Sequence, residues 1–324
     1  MVLVTYNLIA PMSLTLVLVF GLFFGLLFAI GTYFDIGLFP IIGIGIFMGF
    51  IQWYIGPLLL KWTTNMRPLQ PGEMPWIEET VQALCIKNRV KIPKIMIANV
   101  GAPNAFVFGR TNNSATLTIT QGLLNSLSQE EVEAVISHEV GHIKHNDMVI
   151  MTLVSVIPMI AYYVAISTMW GSRSNRDSRG GGAVLIGIGA FVIYFVTNLL
   201  ILYFSRLRES YADDFGGHQM RPTILASALA KITYGLALKK PEEKNSTLRY
   251  FYAVDPALAS SEVSRFPSFY KDQRLTEDEI NQAMRWEKTN PLSRFGEIFR
   301  THPLTYKRIE RLLDLEKELG FTSA

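Results

Sequence analysis

The chain of 324 residues carries one cysteine, Cys85, so it can form no internal disulfide. That excludes a disulfide-stapled scaffold and agrees with a reducing compartment. Histidine is also scarce, at five residues, which makes any clustering of them informative. The net charge of +3 is small for this length and leaves no phosphate-binding footprint; neither nucleic acid nor nucleotide is an expected partner. No glycine-rich nucleotide-binding motif and no internal repeat occur. Most telling is where charge is missing altogether: Met1–Phe34, Ile36–Leu60, Met148–Ser172 and Gly180–Ser205 contain no Asp, Glu, Lys or Arg.

A hydrocarbon core about 30 Å thick is crossed by about 20 apolar residues in a helix. The first two stretches therefore predict spanning helices near Leu8–Ile30 and Leu38–Leu60, joined as a hairpin through Gly31, Asp35 and Gly37. The start lacks a basic region and the apolar run is too long for a cleavable signal peptide, so the first helix is expected to stay as an anchor. The later two stretches are long and apolar all round, which favours spanning or deep insertion over a buried hairpin. Lys61 and Arg67 flank the second helix whereas the first loop holds only Asp35, which places both termini in the cytoplasm. Arg173, Arg176 and Arg179 argue against exposing the loop after Gly171 outside. The second pair must cross an even number of times if the residues before Met148 and after Ser205 build one site. With no charge inside any proposed span to mark an ion path, a transporter is disfavoured.

Four segments follow: an apolar hairpin over 1–60, a first polar part over 61–147, a second apolar hairpin over 148–205 and a second polar part over 206–324. In the first polar part, a Pro-rich connector (Arg67-Pro68-Leu69-Gln70-Pro71-Gly72) precedes a helix expected at Trp76–Asn88. Strands are expected at Lys94–Ala98, Ala105–Phe108 and Ala115–Thr120, the last alternating Thr with Leu or Ile, with Arg110–Ser114 as the turn before it. Such a sheet could offer an edge to an extended peptide. Ser172–Gly182 is small, polar and glycine-rich, hence a loop. Later helices are expected near Thr223–Lys239, Thr276–Thr289 and Pro303–Leu319, with connectors at Lys239–Ser246 and around Asn290 and Pro291.

Two imidazoles and a carboxylate fall within five residues at His138-Glu139-Val140-Gly141-His142. Residues four apart on a helix stand one above the other, about 6 Å along the axis, so two imidazoles can converge on one small cation. Glu139 points aside and can reach a water held by the metal without being a ligand, the arrangement of metal-assisted peptide hydrolysis. Ser128 with Glu131 forms a capping box, and Val132, Val135, Ile136, Val140 and Ile143 make an apolar stripe. The polar neighbours Gln129, Glu130, Lys144 and Asp147 put this helix at the membrane surface rather than inside it. A catalytic zinc takes three protein ligands and keeps a place for water. His145 stands about 10 Å along the axis from His138, too far to share one ion with it, and is expected to be solvated or to orient another residue. Glu209 and Asp213 share a helical face; Glu209 could bind zinc while Asp213 orients a ligand histidine. Equally, they could be acids of a membrane-flanking turn paired with Arg206 and Arg208.

The His-Glu-Val-Gly-His motif, the Glu209–Asp213 segment, the apolar hairpin between them, the N-terminal hairpin, Asn104-Ala105-Phe106 and Thr301-His302-Pro303 together resemble the HtpX family of membrane zinc metalloproteases, relatives of the type I CAAX prenyl proteases. The resemblance covers nearly the whole chain. It implies a membrane α-helical plus α+β fold with a gluzincin-like zincin catalytic domain, one zinc ion on His138, His142 and Glu209, Glu139 as general base, and Asn104 and Ala105 in substrate contact at a sheet edge. It further implies that His302 and Arg308 face the metal and stabilise an oxyanion. The other reading keeps His302 at a helix start and Arg308 on a solvated face with Lys307 and Arg311. The implied activity is endopeptidase cleavage of membrane or misfolded polypeptides at the cytoplasmic face of the cell membrane. Prenyl-protein processing and a non-catalytic zinc scaffold, which would need a fourth ligand, are the alternatives.

Overall fold

The computed structural model describes residues 3–34, 38–63, 66–171, 180–237 and 277–321. Most of the loop expected at Ser172–Gly182, and the connector at Lys239–Ser246, lie outside the described residues. In chain order the first helices are α1 (Leu3–Phe34), α2 (Leu38–Thr63), α3 (Pro75–Asn88), α4 (Gln121–Ser126), α5 (Gln129–Lys144) and α6 (Asp147–Gly171). They are followed by α7 (Gly180–Gln219), α8 (Pro222–Ala237), α9 (Glu277–Thr289), α10 (Pro291–Gly296) and α11 (Thr305–Glu318). The strands are β1 (Met66–Pro68), β2 (Lys94–Ala98), β3 (Ala105–Phe108) and β4 (Thr116–Thr120). Two compact units result: Met1–Gly56 with Ile150–Leu207, and Pro57–Val149 with Arg208–Ala324.

The first unit is made of apolar helices. By length and composition, Leu8–Tyr33, Asp147–Met169 and Gly182–Gln219 can each cross a membrane; α2 adds 26 residues with Lys61 in its last turn. Leu26, Ile30, Ala161, Ala165 and Ala190 form the buried cluster. Small residues let backbones approach: a Cβ on Gly49 would stand 3.3 Å from Val156, and one on Gly45 3.1 Å from Ile160. Gln52 donates to the Ser155 hydroxyl at 2.7 Å, a polar tie of the kind that joins helices in lipid. Outside this cluster, Val17, Phe24, Phe28, Leu185 and Val192 are exposed. So large an apolar surface is a liability in water and matches an acyl-chain solvent.

The second unit holds the sheet, in the order β1-β2-β4-β3, with β2 and β4 parallel and both outer pairs antiparallel. β4 is central and buried along its whole length. Thr118 and Thr120 are tolerated there because their hydroxyls are bonded: Thr118 donates to Met66 Sδ at 3.7 Å, and Thr120 donates to the Ala102 and Asn104 carbonyls and caps α4 by accepting from Leu123 N–H. The strands at Lys94–Ala98 and Ala105–Phe108 match their expected limits. β1 departs from expectation: Met66–Pro68, within and just before the expected connector, pairs with β2 in the register Arg67↔Ile97. An edge strand tolerates Pro68 because that residue has no N–H to give to the ladder.

Helix α5 begins as its capping box dictates. Ser128 Oγ accepts from Glu131 N–H at 3.4 Å while Glu131 Oε2 accepts from Ser128 N–H at 2.9 Å. The apolar stripe Val132, Val135, Ile136 and Val140 enters a core shared with Ile77, Val81, Leu117, Ile119 and Ile232. On the other side of α5, Ala134 joins Leu225, Leu229, Ile309 and Leu312 of α8 and α11. Buried Glu131 is also paired with Lys231 at 2.5 Å and Ser227 at 2.7 Å, which ties the start of α5 to α8.

Three later elements differ from their expected limits. α7 runs unbroken for 40 residues, so the last apolar stretch and the Glu209–Asp213 segment are one rod rather than a helix and a charged turn. Asn290 is the N-cap of α10, accepting from Leu292 N–H at 2.9 Å, where a connector was expected. α11 starts at Thr305 instead of Pro303, because Glu287 of α9 accepts from the N–H groups of Thr305 and Tyr306. That buried carboxylate sets where α11 begins, and with it the positions of His302 and Arg308.

Candidate active site

The site assembles where α5 crosses α7. Two glycines permit the approach: a Cβ on Gly216 would meet His138 N and Ser137 Oγ at 3.2 Å, and one on Gly141 would meet Phe215 at 3.0 Å. Ser137 also donates to the Gly216 carbonyl at 3.3 Å. With the backbones this close, the i, i+4 pair Glu209 and Asp213 on α7 faces the i, i+4 pair His138 and His142 on α5.

The two imidazoles converge, with Nε2 atoms 3.1 Å apart. Glu209 closes the triangle: its Oε2 lies 3.6 Å from His138 Nε2 and its Oε1 3.4 Å from His142 Nε2. Each imidazole is held from behind by a carboxylate. His138 Nδ1 lies 2.9 Å from Asp213 Oδ1, and His142 Nδ1 lies 2.7 Å from Asp147 Oδ2. When Nδ1–H donates to those carboxylates, the lone pairs of both Nε2 atoms face each other, an arrangement that calls for a cation between them. Glu139 also belongs to this cluster, with a donor atom within 4.8 Å of those of His138 and His142.

Arg308 is 4% exposed, which overturns the solvated-face alternative. Its Nε and Nη2 donate to Asp213 Oδ2 and Oδ1, both at 2.7 Å, and Nη2 also reaches Glu209 Oε2 at 3.3 Å. Arg311 instead pairs with Asp214, and Lys307 with Glu297. His302 precedes α11 and turns inward, with Nε2 3.6 Å from Glu209 Oε1 and Nδ1 2.8 Å from Thr301 Oγ1. Burial is the main reason that its pKa falls to about 4, with Arg308 adding to the effect against Glu209, so the ring is neutral at pH 7. Burial likewise raises the Glu139 carboxyl above its ordinary value, although both nearby imidazoles oppose it.

Glu139, Glu209, Asp213 and Asp147 are buried beside the guanidiniums of Arg208 and Arg308, so the site gathers more carboxylates than arginines, which suits a cation.

Asp147 was not singled out in the sequence. It is the first residue of α6, five after His142, and the chain turns back through Asn146 at φ 62 to bring it there. A carboxylate just past the end of a two-histidine helix was the available signal. His145 is half-buried, its ring 4.1 Å from that of Tyr211 and 5.6 Å from that of Phe215; it faces aromatics rather than the imidazole pair. Asn104 is buried and donates its backbone N–H to Thr120 Oγ1 at 2.8 Å. Ala105 opens edge strand β3, against which α5 packs.

Residues 71–316 match the model of peptidase family M48. The chain belongs to that family. The M48 chain is 38% identical over 240 residues to a protease HtpX homolog of Methanothermobacter thermautotrophicus, covering 72% of this chain and 88% of that one. It is 32% identical over 311 residues to the protease HtpX homolog of Methanocaldococcus jannaschii, covering 94% and 97%, and 30% identical over 309 residues to that of Thermoplasma acidophilum, covering 92% of each. In structure it is similar to S. mikatae Ste24p, with a TM-score of 0.53 at 16% identity over 95% of this chain and 66% of that one. The M48 chain is a membrane metalloendopeptidase of the HtpX type, with a mostly helical fold around a small mixed sheet.

Proposed function

We propose that this protein is a zinc endopeptidase whose ion is held by His138 Nε2, His142 Nε2 and Glu209. Its catalytic unit would face the cytoplasm from the cell membrane and cleave membrane or misfolded polypeptides, a quality-control role. The donor triangle carries the reading. A tetrahedral zinc with ligand bonds of about 2.0–2.2 Å separates its donors by about 3.3–3.6 Å; here the two Nε2 atoms are 3.1 Å apart, with one Glu209 oxygen 3.4 Å from His142 Nε2 and the other 3.6 Å from His138 Nε2. Glu139 also stands near both imidazoles, but it is Glu209 whose two oxygens address the two Nε2 atoms from a different helix. That leaves Glu139 free for proton transfer.

When bound, zinc polarises the scissile carbonyl and acidifies water beside it. Glu139 accepts the proton of the attacking water and returns it to the leaving amine. His302, neutral and accepting from Thr301 at Nδ1, presents Nε2–H to the carbonyl oxygen as it becomes an oxyanion. Arg308 acts differently. Its donors are committed to Asp213 and Glu209, so it positions His138 through Asp213 rather than meeting the substrate. At the edge of β3, Asn104 and Ala105 would receive an extended peptide as an added strand, giving main-chain affinity with little sequence selectivity. Lys61, Arg67 and Arg206 support the cytoplasmic placement and a multi-pass topology. Prenyl-protein processing draws nothing from the site residues, and the likeness to Ste24p at 16% identity concerns the fold.

The test is zinc-loaded Glu139→Gln, which should keep its metal and lose about 10²–10⁴-fold in peptide hydrolysis; hydrolysis at the parent rate sinks the mechanism. Glu209→Ala should lower zinc content, and unchanged content rejects it as a ligand. Proteins that accumulate in membranes carrying the Glu139→Gln form would name the substrates.

A further inference from the structure

We propose that Asp147 and Arg208 are the positioning pair for His142, the counterpart of Asp213 and Arg308 for His138. The inference rests on the reading of His142 as a metal ligand. Asp147 divides its carboxylate between two partners: Oδ2 lies 2.7 Å from His142 Nδ1, while Oδ1 contacts the Arg208 guanidinium. Both side chains are buried. A buried carboxylate keeps its charge only with such a counter-ion, and a charged acceptor behind Nδ1–H holds the ring, sets its tautomer and makes Nε2 a stronger donor to a metal.

Arg208 does a second thing. Its Nη2 donates to the carbonyl of His145, the C-cap residue of α5, at 2.8 Å. Because Arg208 and Glu209 are neighbours on α7, the residue that ties down the end of α5 stands beside a metal donor. The turn between α5 and α6 is held from the sheet side, where Asn112 Nδ2 donates to the Ile143 carbonyl at 2.7 Å and to Asn146 Oδ1 at 2.5 Å. His142 is thereby oriented by groups on three elements, and its matching chain to His138 runs through α7 and α11. Two ligand imidazoles, two aspartates and two arginines form parallel relays that converge on one donor triangle.

The competing role for Asp147 is that of an acid in the first turn of α6, favourable to the helix dipole and unconnected with metal. Asn and Ser remove the charge in either role, so the readout separates them: losing a charge on the α6 dipole lowers stability but leaves zinc affinity and ligand geometry unchanged. Zinc affinity is read by competition with a chromophoric chelator on the full chain in detergent, and the d–d absorption of the cobalt(II) form reports ligand geometry. Asp147→Asn and Asp147→Ser should bind zinc about 10–100-fold more weakly and alter the cobalt spectrum. Asp147→Glu should recover part of the affinity, and Arg208→Gln should shift zinc binding in the same direction by less. Parental zinc affinity and cobalt spectrum in both Asp147 variants, alongside lost binding in His142→Ala, overturn the proposal while leaving His142 a ligand. Parental affinity in His142→Ala overturns the ligand reading and this inference together. Should the Asp147 variants fail to fold, Arg208→Gln with parental affinity and spectrum overturns it alone.

Discussion

The two units differ in where their large apolar side chains end up. Where α1, α2 and most of α6 and α7 pack, Ala161, Ala165 and Ala190 are buried with Leu26, Leu27, Ile30 and Phe204, yet Val17, Phe24, Phe28 and Leu185 face outward. Around the sheet the large residues Ile77, Leu117, Ile136 and Ile143 are inside, and the same unit buries charged groups such as Glu139, Asp147, Glu209, Asp213, Arg208 and Arg308. Solvent explains the difference. Lipid offers no hydrophobic gain for burying a Leu, so helices there associate through close packing and a few polar ties. In water, burial of large aliphatics builds a core firm enough to hold charged groups away from solvent, provided each has a partner.

Removing one partner breaks this comparison most severely. Arg308→Ala strips Asp213 and Glu209 of their guanidinium and should cost about 3–5 kcal/mol of metal-free stability, measured by denaturant unfolding of the detergent-solubilised chain; a loss near zero would mean that the acids are neutral or hydrated. The converse test puts a charge where none belongs. Val17→Arg, on an outward-facing side of α1, should raise the cost of membrane insertion by about 2.5–3.5 kcal/mol in an integration assay. If that face met water instead, the substitution would be close to neutral.

A smaller effect comes from acid. Burial, with Arg208 nearby, holds the His145 pKa down at about 3, against an ordinary 6.5. The unfolded chain therefore takes up this proton first as pH falls, so the stability associated with neutral His145 is complete above about pH 6.5 and drains away towards pH 3. His145→Phe should flatten that part of the pH profile, read from urea midpoints between pH 7 and 4; parallel profiles would place His145 in water. Smallest should be Gln52→Leu, which removes the tie to Ser155 and is expected to cost about 0.6 kcal/mol, the average for such bonds in membrane proteins. A loss of several kcal/mol would assign the apolar unit a polar core like that of its neighbour.

Much of both units is legible along the chain because it depends on neighbours in sequence. The uncharged stretches, the capping box at Ser128 and Glu131, the alternation in Thr116–Thr120 and the four-residue spacings of His138/His142 and Glu209/Asp213 are all local patterns. What escaped them is pairing across the fold. Met66–Pro68 has no strand signature of its own and becomes β1 only because β2 offers it an open edge. Arg308 sits in a run with Lys307 and Arg311 that looks like a wet helix face, yet the start imposed by Glu287 turns Arg308 alone into the site while Lys307 and Arg311 find Glu297 and Asp214. Asp147 lies in an unremarkable polar turn until Asn146 reverses the chain.

By itself, then, the sequence determined that two imidazoles share a helix face beside a carboxylate, and that long uncharged segments need an apolar solvent, since helix periodicity and transfer free energy are local properties. Only the tertiary structure decided how those imidazoles are aimed. Gly141 and Gly216 let α5 and α7 approach until Glu209 faces both Nε2 atoms, and residues from α6, α7 and α11 supply the carboxylates and arginines behind them. Orientation of a buried ring is a sum of contacts from several elements, and no pattern along one of them contains it.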